Sequence, residues 1–334
     1  MPRPPQRRVP GLLAGWALLG CALAGAAGAG AAGLSERAGA LVEAERYSVA
    51  ESLLRRALSA DPSSPEATYF LGRVYLETGR TADAVRFLER QASRYPKSSR
   101  IQQGLGEAYA VAALEASLFR QLGLARASHR ALERAVALDP GNVEARVSLF
   151  EFYRHAPAAV GGGRERALAE AREIGRREPS RGHELQGHLL RDEGREREAV
   201  AEYGKALAAD PGNLSARLAL ALLYTELREF DRAFVVLDRL LEREPDHLSA
   251  LYQVGRNAAL SGRQLERGEE ALRRYLRHRP RRNQPSHAWA HYRLGMIHKR
   301  RGELATARDA LRIALRLDPE LEGARKALAD LGSL

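Results

Sequence analysis

The chain has 334 residues, of which 45% are hydrophobic and 28% charged, a balance that indicates a globular protein and excludes a disordered one. Its single cysteine, Cys21, excludes an intrachain disulfide and a thiolate metal cluster. The net charge of +11 is concentrated at the two ends, because residues 34–280 carry 39 Lys and Arg against 36 Asp and Glu. Frequent Ala, Leu, Arg and Glu predict an all-α fold.

Residues 1–32 have the layout of an export signal. Arg3, Arg7 and Arg8 precede an uncharged run that opens with the apolar stretch 12–19 and continues into Ala and Gly. A basic start, a short apolar core and small residues before a cleavage site are typical of a secretory signal peptide. The sequence therefore predicts export to the periplasm or cell envelope.

Three alternatives to simple cleavage stay open at this N-terminus. The segment Leu18-Leu19-Gly20-Cys21 resembles a bacterial lipoprotein cleavage box, in which Cys21 would be lipidated, although Leu19 is an uncommon residue there. The apolar run is also long enough to remain as an uncleaved membrane anchor. The third alternative is a disordered tail on a cytosolic protein.

Prolines divide the remaining sequence into units of similar length. Each follows an apolar, helix-forming stretch, and successive gaps are 34, 44, 39, 32, 34, 35 and 39 residues. The eight prolines are Pro62, Pro96, Pro140, Pro179, Pro211, Pro245, Pro280 and Pro319. Because proline lacks an N–H and fits poorly inside a helix, each is expected to end one unit and begin the turn to the next.

The units share small and apolar residues at fixed positions. A Gly or Ala would let two helices approach closely, while Tyr and Leu at helical spacing would fill the groove between them. The residues in this pattern are Ala50, Leu54 and Ala57; Leu71, Gly72, Tyr75, Ala84 and Leu88; Leu105, Gly106, Tyr109 and Ala135; Gly187, Ala199, Tyr203 and Ala206; Tyr224, Ala233 and Leu237; Leu294, Gly295, Ala307, Leu311 and Ala314.

This pattern resembles the tetratricopeptide repeat, a pair of antiparallel helices of about 34 residues. The resemblance implies an all-α, right-handed superhelical solenoid of about eight helical hairpins plus a C-terminal capping helix. The expected repeats are approximately 33–64, 65–98, 99–142, 143–179, 180–213, 214–247, 248–287 and 288–319, with a cap at 320–334.

Two units depart from the repeat length. The third has about ten extra residues between Val111 and Gly123, which predict an extended helix pair. The fourth contains His155 to Gly163, where a proline and three glycines predict an inserted loop. That loop is not followed by Gly-Lys-Ser/Thr, so a phosphate-binding P-loop is excluded. Residues 281–285 form a polar linker before the last unit.

No motif of a known catalytic site occurs in the sequence, so we predict that the protein is not an enzyme and has no cofactor. His287, His291 and His298 would share one face of a helix, a spacing that can present imidazoles to a metal. However, His291 and His298 fall where the repeat places core aromatic residues. We therefore favour packing over a metal site.

The resemblance implies that a partner, often an extended peptide, would bind in the concave groove lined by the first helix of each hairpin. Trp, Tyr, Met and Arg are enriched at binding hot spots, and the last two repeats carry them at groove positions. The candidate groove residues are Tyr252, Arg256, Trp289, Tyr292, Met296, Lys299 and Arg300.

Residues 271–302 contain ten Arg and Lys and no acidic residue, which predicts a positive patch. We hypothesise an acidic protein segment or carboxylate as its partner, with a solvated basic edge as the alternative. Nucleic acid is disfavoured by the predicted export, and contact with a membrane is expected only through the N-terminal segment.

The sequence thus predicts a protein–protein interaction scaffold in the assembly or chaperoning of a bacterial cell-envelope complex. Two alternatives stay open. The chain could be an accessory, substrate-recruiting module of an enzyme complex, or a cytosolic adaptor for acidic partners. The identity of the partner and the oligomeric state are not encoded in any motif.

Overall fold

The computed structural model describes residues 31–281 and 284–332, and all regular structure in these ranges is helical. Residues 1–30 of the predicted signal sequence, which include Cys21, lie outside the described residues. Among the helices of the described ranges, none is both long and apolar enough to cross a membrane.

The described part of the chain forms seventeen α-helices. In chain order they are α1 (Ala31–Glu43), α2 (Tyr47–Ala60), α3 (Pro65–Glu77), α4 (Thr81–Arg94), α5 (Ser99–Glu115), α6 (Leu118–Leu138), α7 (Val143–His155), α8 (Arg164–Gly175), α9 (Pro179–Asp192), α10 (Glu196–Ala209), α11 (Leu214–Glu226), α12 (Phe230–Arg243), α13 (Leu248–Ser261), α14 (Leu265–Leu276), α15 (His287–Arg300), α16 (Leu304–Leu317) and α17 (Glu322–Gly332).

The helices fall into two compact units that divide inside α9, after Leu189. We call them the N-terminal unit, whose described residues are 31–189, and the C-terminal unit, whose described residues are 190–281 and 284–332. In both, consecutive helices pair through short turns, as in α3 with α4 and α13 with α14. Within α1–α8 and α11–α16, odd-numbered helices are the first helices of these hairpins and even-numbered helices are the second. The all-α repeat fold is thereby confirmed.

Glycines set the close approach within the hairpins. A Cβ at Gly72, Gly106 or Gly295 would stand 2.6 to 2.7 Å from the Leu side chain of the second helix, and one at Gly255 would stand 2.2 Å from Leu272. These separations are too short for real contacts, so a larger residue would push the two helices apart. The role predicted for glycine in the repeat pattern is thereby confirmed.

Aspartate–proline pairs end the second helices. Asp61, Asp139, Asp210 and Asp318 each leave the helix in an extended conformation, which the following proline favours. Their carboxylates accept a hydrogen bond from the N–H two residues on, for example 2.8 Å from Gly141 to Asp139. The next helix then begins at a side-chain cap such as Asn142, whose Oδ1 accepts from the N–H of Ala145 at 3.0 Å.

The two departures from the repeat length are packed against each other. Helix α5 has 17 residues and α6 has 21, whereas the other helices have 11 to 14, which confirms the extended pair. The loop after α7 contains a 3₁₀ turn, Ala158–Val160, whose Val160 is buried against α6. Gly161 takes a left-handed conformation (φ +103°) beside His129 of α6. The predicted loop therefore covers the inner part of the extended helix.

The C-terminal helix closes the last hairpin. Leu321, Ala324 and Leu331 are buried in one cluster with Ala307 and other apolar residues of α16. Helix α17 therefore lies within the range 320–334 that was predicted for the capping helix.

Candidate peptide-binding face of the C-terminal unit

The signature glycines orient the first helices of the C-terminal unit. Gly255 of α13 faces Leu272, and Gly295 of α15 faces Leu311, each on the second helix of its hairpin. Residues one position after and three before such a glycine lie together on a different stripe of the helix. That stripe contains Tyr252 and Arg256 on α13 and Tyr292 and Met296 on α15, all four of them predicted groove residues.

Four side chains on α13 and α15 form what we call the arginine–aromatic face: Arg256, Trp289, Tyr292 and Arg293. Trp289 is 37% exposed, which is unusual for so large a side chain. Its ring meets Tyr292 edge to face, with centroids 5.8 Å apart. The guanidinium of Arg293 lies over both rings, 4.9 Å from the Tyr292 centroid and 5.6 Å from that of Trp289.

The two arginines of this face have no carboxylate partner among the described residues. Arg256 is half-buried and donates to Gln253 Oε1 at 3.3 Å. Burial lowers the pKa of Arg256 and the neighbouring charge of Arg293 lowers it further, whereas Tyr252 and Glu226 act in the opposite direction. The Nε of Arg293 is buried without a hydrogen-bond partner. Such groups are under-satisfied donors, and a bound carboxylate would supply the missing acceptors.

The other predicted groove residues have different structural roles. Tyr252 is only 4% exposed and packs in the core, 5.6 Å from the ring of Tyr275, so its place in the groove is corrected. Met296 is half-buried between the core of α13 and that of α16 and α17.

Lys299 and Arg300 are committed to contacts within the chain. Lys299 Nζ lies 3.2 Å from the Asp330 carboxylate of α17. Arg300 donates to the carbonyls of Ala259 and Leu260 at 2.8 and 2.9 Å, which satisfies the C-terminal end of α13. We therefore remove both from the candidate site.

The predicted positive patch is also partly neutralised by acidic residues from neighbouring segments. Arg274 pairs with Asp246 at 2.9 Å, and Arg301 pairs with Glu269 and Glu303 at 2.5 and 2.8 Å. The acidic partners Asp246, Glu269 and Glu303 lie before or after residues 271–302 in the sequence, so the composition of that range alone does not show them. Ten adjacent cations in sequence are therefore not ten unpaired cations on the surface.

Two of the three histidines of α15 make separate polar contacts. His287 Nε2 lies 2.8 Å from the carbonyl of His278, and His298 Nδ1 lies 2.6 Å from Glu303. Burial lowers the pKa of His291. Within the described ranges, no three His, Cys, Asp or Glu side chains are grouped as a metal ion requires.

No sequence motif indicates a site in the N-terminal unit, yet its first helices share a buried polar network. Gln103 donates to Glu107 at 2.8 Å, and Ser148 of α7 donates to the same carboxylate at 2.9 Å. Burial raises the pKa of Glu107 to about 7, although both hydrogen bonds oppose that shift. Near this network, the guanidinium carbon of Arg100 lies 3.7 Å from the centroid of the Tyr69 ring.

Family models decide what this arrangement of hairpins is. One tetratricopeptide repeat model matches residues 41–108 and 190–254, and a second matches residues 257–322. The chain belongs to the tetratricopeptide repeat family. Proteins with this repeat are interaction scaffolds that bind proteins or peptides, and the fold is typically non-enzymatic. A search of curated proteins found no significant match.

Solved structures support the same assignment. A tetratricopeptide repeat protein of Thermus thermophilus, TTC0263, is 26% identical, with a TM-score of 0.51 over 58% of this chain and 99% of that chain. The Cut9–Hcn1 hetero-tetramer of APC/C is 13% identical, with a TM-score of 0.55 over 89% of this chain and 55% of that chain. At 13% identity the second likeness concerns the fold alone.

Proposed function

We propose that this repeat protein is a scaffold that binds an acidic segment of a partner protein at the arginine–aromatic face. One observation carries the proposal: Arg256 and Arg293 are neighbouring charges, and neither forms an ion pair with a carboxylate of the described residues. Two neighbouring cations repel each other, and a carboxylate placed between them would relieve that repulsion.

The aromatic residues of the face complement the charges. Trp289 and Tyr292 provide a rigid apolar surface beside the guanidinium of Arg293. Trp, Tyr and Arg dominate binding hot spots because they combine large contact area with hydrogen bonding. An acidic residue followed by an apolar one is therefore the segment that this face fits best.

Substitution of the two arginines tests the proposal. Binding of a library of extended acidic peptides, and of the same peptides with Asn and Gln for Asp and Glu, would be measured by fluorescence anisotropy. We expect the acidic set to bind, and Arg256→Gln with Arg293→Gln to weaken that binding by about 2 kcal/mol, roughly 30-fold. The matched control is Arg312→Gln, an exposed arginine on α16. Equal binding of both peptide sets, or equal loss in the control, would refute the acidic partner.

We further propose that the protein is exported and that its scaffold role serves the assembly of a bacterial cell-envelope complex. The support is the sequence of residues 1–32, with three arginines before an apolar core and small residues. Mass spectrometry of the mature N-terminus tests it. A start between Ala24 and Gly33, or a diacylglycerol adduct on Cys21, would support export. An intact Met1 in the cytosol would refute it.

A further inference from the structure

The extended hairpin of α5 and α6 carries a feature that peptide binding does not explain. Its connection and flanking turns, residues 114–122, are called here the hairpin tip. Helix α6 is about seven residues longer than a typical second helix of this chain, which corresponds to roughly 10 Å of additional length. The 3₁₀ turn after α7 covers the inner part of α6, around His129, and leaves the tip uncovered.

The hairpin tip is apolar and exposed. Phe119 is 95% exposed and Leu118 is 74% exposed, and Leu114 and Leu122 are exposed beside them. These four are half of the large hydrophobic side chains that are exposed in the described ranges. Isolated exposed apolar residues are common, but four within nine residues form a patch of the kind that marks an interaction surface.

The charges around the tip have one sign. No acidic residue lies between Glu115 and Glu133, whereas Arg120, Arg126 and Arg130 are all exposed in this segment. Within the described ranges none of the three arginines has a carboxylate partner. The two bordering acids have other partners, since Glu115 accepts a hydrogen bond from Thr81 at 3.0 Å and Glu133 lies 3.2 Å from His129.

Apolar and basic residues are ordered along one stripe of α6. Phe119 and Leu122 lie near its first turn, and Arg126 and Arg130 follow Leu122 at intervals of four residues. The arginines therefore stand roughly 6 and 12 Å behind Leu122 along the helix axis. Amphipathic helices bury their apolar residues about 5–10 Å into the headgroup and acyl boundary, while Arg side chains extend back to the phosphates.

We propose that the hairpin tip docks onto the surface of an anionic lipid bilayer, with Leu118, Phe119 and Leu122 in the interface and Arg120, Arg126 and Arg130 on the headgroups. Exposed apolar side chains at the end of a hairpin can insert into the deformable surface of a bilayer, whereas a protein partner would need a pocket of complementary shape. The unpaired arginines complement negative headgroups. This inference depends on neither the arginine–aromatic face nor cleavage of the N-terminus.

A dye at the tip tests the proposal in the full-length chain. Cys21→Ser removes the single cysteine, and Leu118→Cys allows an environment-sensitive fluorophore to be attached at the tip. The matched control carries Cys21→Ser and Leu317→Cys, since Leu317 is an exposed leucine at the end of α16. Because the dye reports only its own surroundings, attachment of the chain through residues 1–30 does not by itself shift the emission at position 118.

Vesicles of phosphatidylcholine with phosphatidylglycerol should shift the emission of the dye at position 118 to the blue, and the dye at 317 should not respond. We expect Phe119→Ser, or Arg126→Gln with Arg130→Gln, to raise the lipid concentration for half-maximal shift about tenfold. Three results would overturn the proposal. They are no shift at position 118, equal shifts at both positions, and a dye at 118 already buried without vesicles, which would indicate cover by this chain or a second copy.

Discussion

Glu107 shows how a single buried group can make this repeat array sensitive to pH. Its carboxyl is buried between α5 and α7, and burial raises its pKa from 4.5 to about 7, against the opposing charges of Arg100 and Arg73. The folded chain therefore holds a proton that the unfolded chain releases above pH 4.5. The stabilising contribution is complete below pH 4.5, declines as pH rises and is lost above pH 7.

We predict that Glu107→Gln abolishes this decline. The amide oxygen of Gln would accept the hydrogen bonds from Gln103 and Ser148 and would stay neutral at every pH. The free energy of unfolding of the variant should exceed that of the wild type by about 3 kcal/mol at about pH 8 and match it near pH 4.5. Urea denaturation across this range is the measurement. Glu89→Gln, which removes an exposed carboxylate on α4, is the control, and parallel curves for Glu107→Gln and wild type would contradict the assignment.

The predicted groove residues show which contacts the spacing of residues along one helix can predict and which it cannot. The repeat pattern placed Arg256, Trp289 and Tyr292 on first helices. In the structure Trp289 and Tyr292 are in contact, and Arg256 lies close enough to Arg293 for the charge of Arg293 to lower its pKa. The repeat pattern could not show that Arg300 is bound to carbonyls 40 and 41 residues earlier in the chain, because that contact depends on the packing of α13 against α15. Arg293 was visible only as one of many basic residues, and its buried Nε identifies it in the structure.

Two glycines in the same hairpin differ in the space that surrounds them. A Cβ at Gly106 of α5 would stand 2.6 Å from Leu132 Cγ and 3.2 Å from the backbone nitrogen of Leu132. Because the second of these atoms belongs to the backbone, a side chain at position 106 would require α5 and α6 to move apart. Gly123 of α6 has no atom within 4 Å of an added Cβ. The first glycine is required for helix packing, and the second only lowers helix propensity.

Alanine substitutions should therefore change stability in opposite directions. We expect Gly106→Ala to lower the free energy of unfolding by about 1–3 kcal/mol through overpacking. Gly123→Ala should raise it by about 0.5–1 kcal/mol, because alanine restricts the unfolded chain and favours helix. Each variant serves as the control for the other in thermal and urea denaturation. Destabilisation by both would mean that the tip depends on Gly123 for its conformation.

The helical elements themselves were predictable because each repeat carries its own stop and close-contact residues. The Asp-Pro pairs end helices, and the glycines mark where two helices touch. The packing of the 155–163 loop onto α6 was not predictable in the same way. Both segments lie outside the repeat pattern, and their contact through Val160 and His129 follows from the fold alone.

A repeat array has two ends, and each end leaves an apolar surface that a neighbouring unit would otherwise bury. At the C-terminal end this surface belongs to α16 and is covered by α17, with Leu321 and Leu331 fully inside the shared cluster. The cover also supplies the Asp330 partner of Lys299, and its Gly323 lies beside Tyr292, where an added Cβ would stand 3.0 Å from Cζ of the ring. The capping helix therefore supports both the last hairpin and the arginine–aromatic face.

We predict that a chain ending at Pro319 loses roughly 3–6 kcal/mol of stability in its last hairpin, from the two buried leucines alone. Because repeats interact with their nearest neighbours, amide exchange should accelerate in α15 and α16 and remain unchanged in α11. The shortened chain should also associate through the exposed side of α16, as light scattering would show. A chain ending at Gly332, which keeps all of α17, is the control. Unchanged exchange in α15 and α16 would mean that the last hairpin is stable without its cap and that α17 has another role.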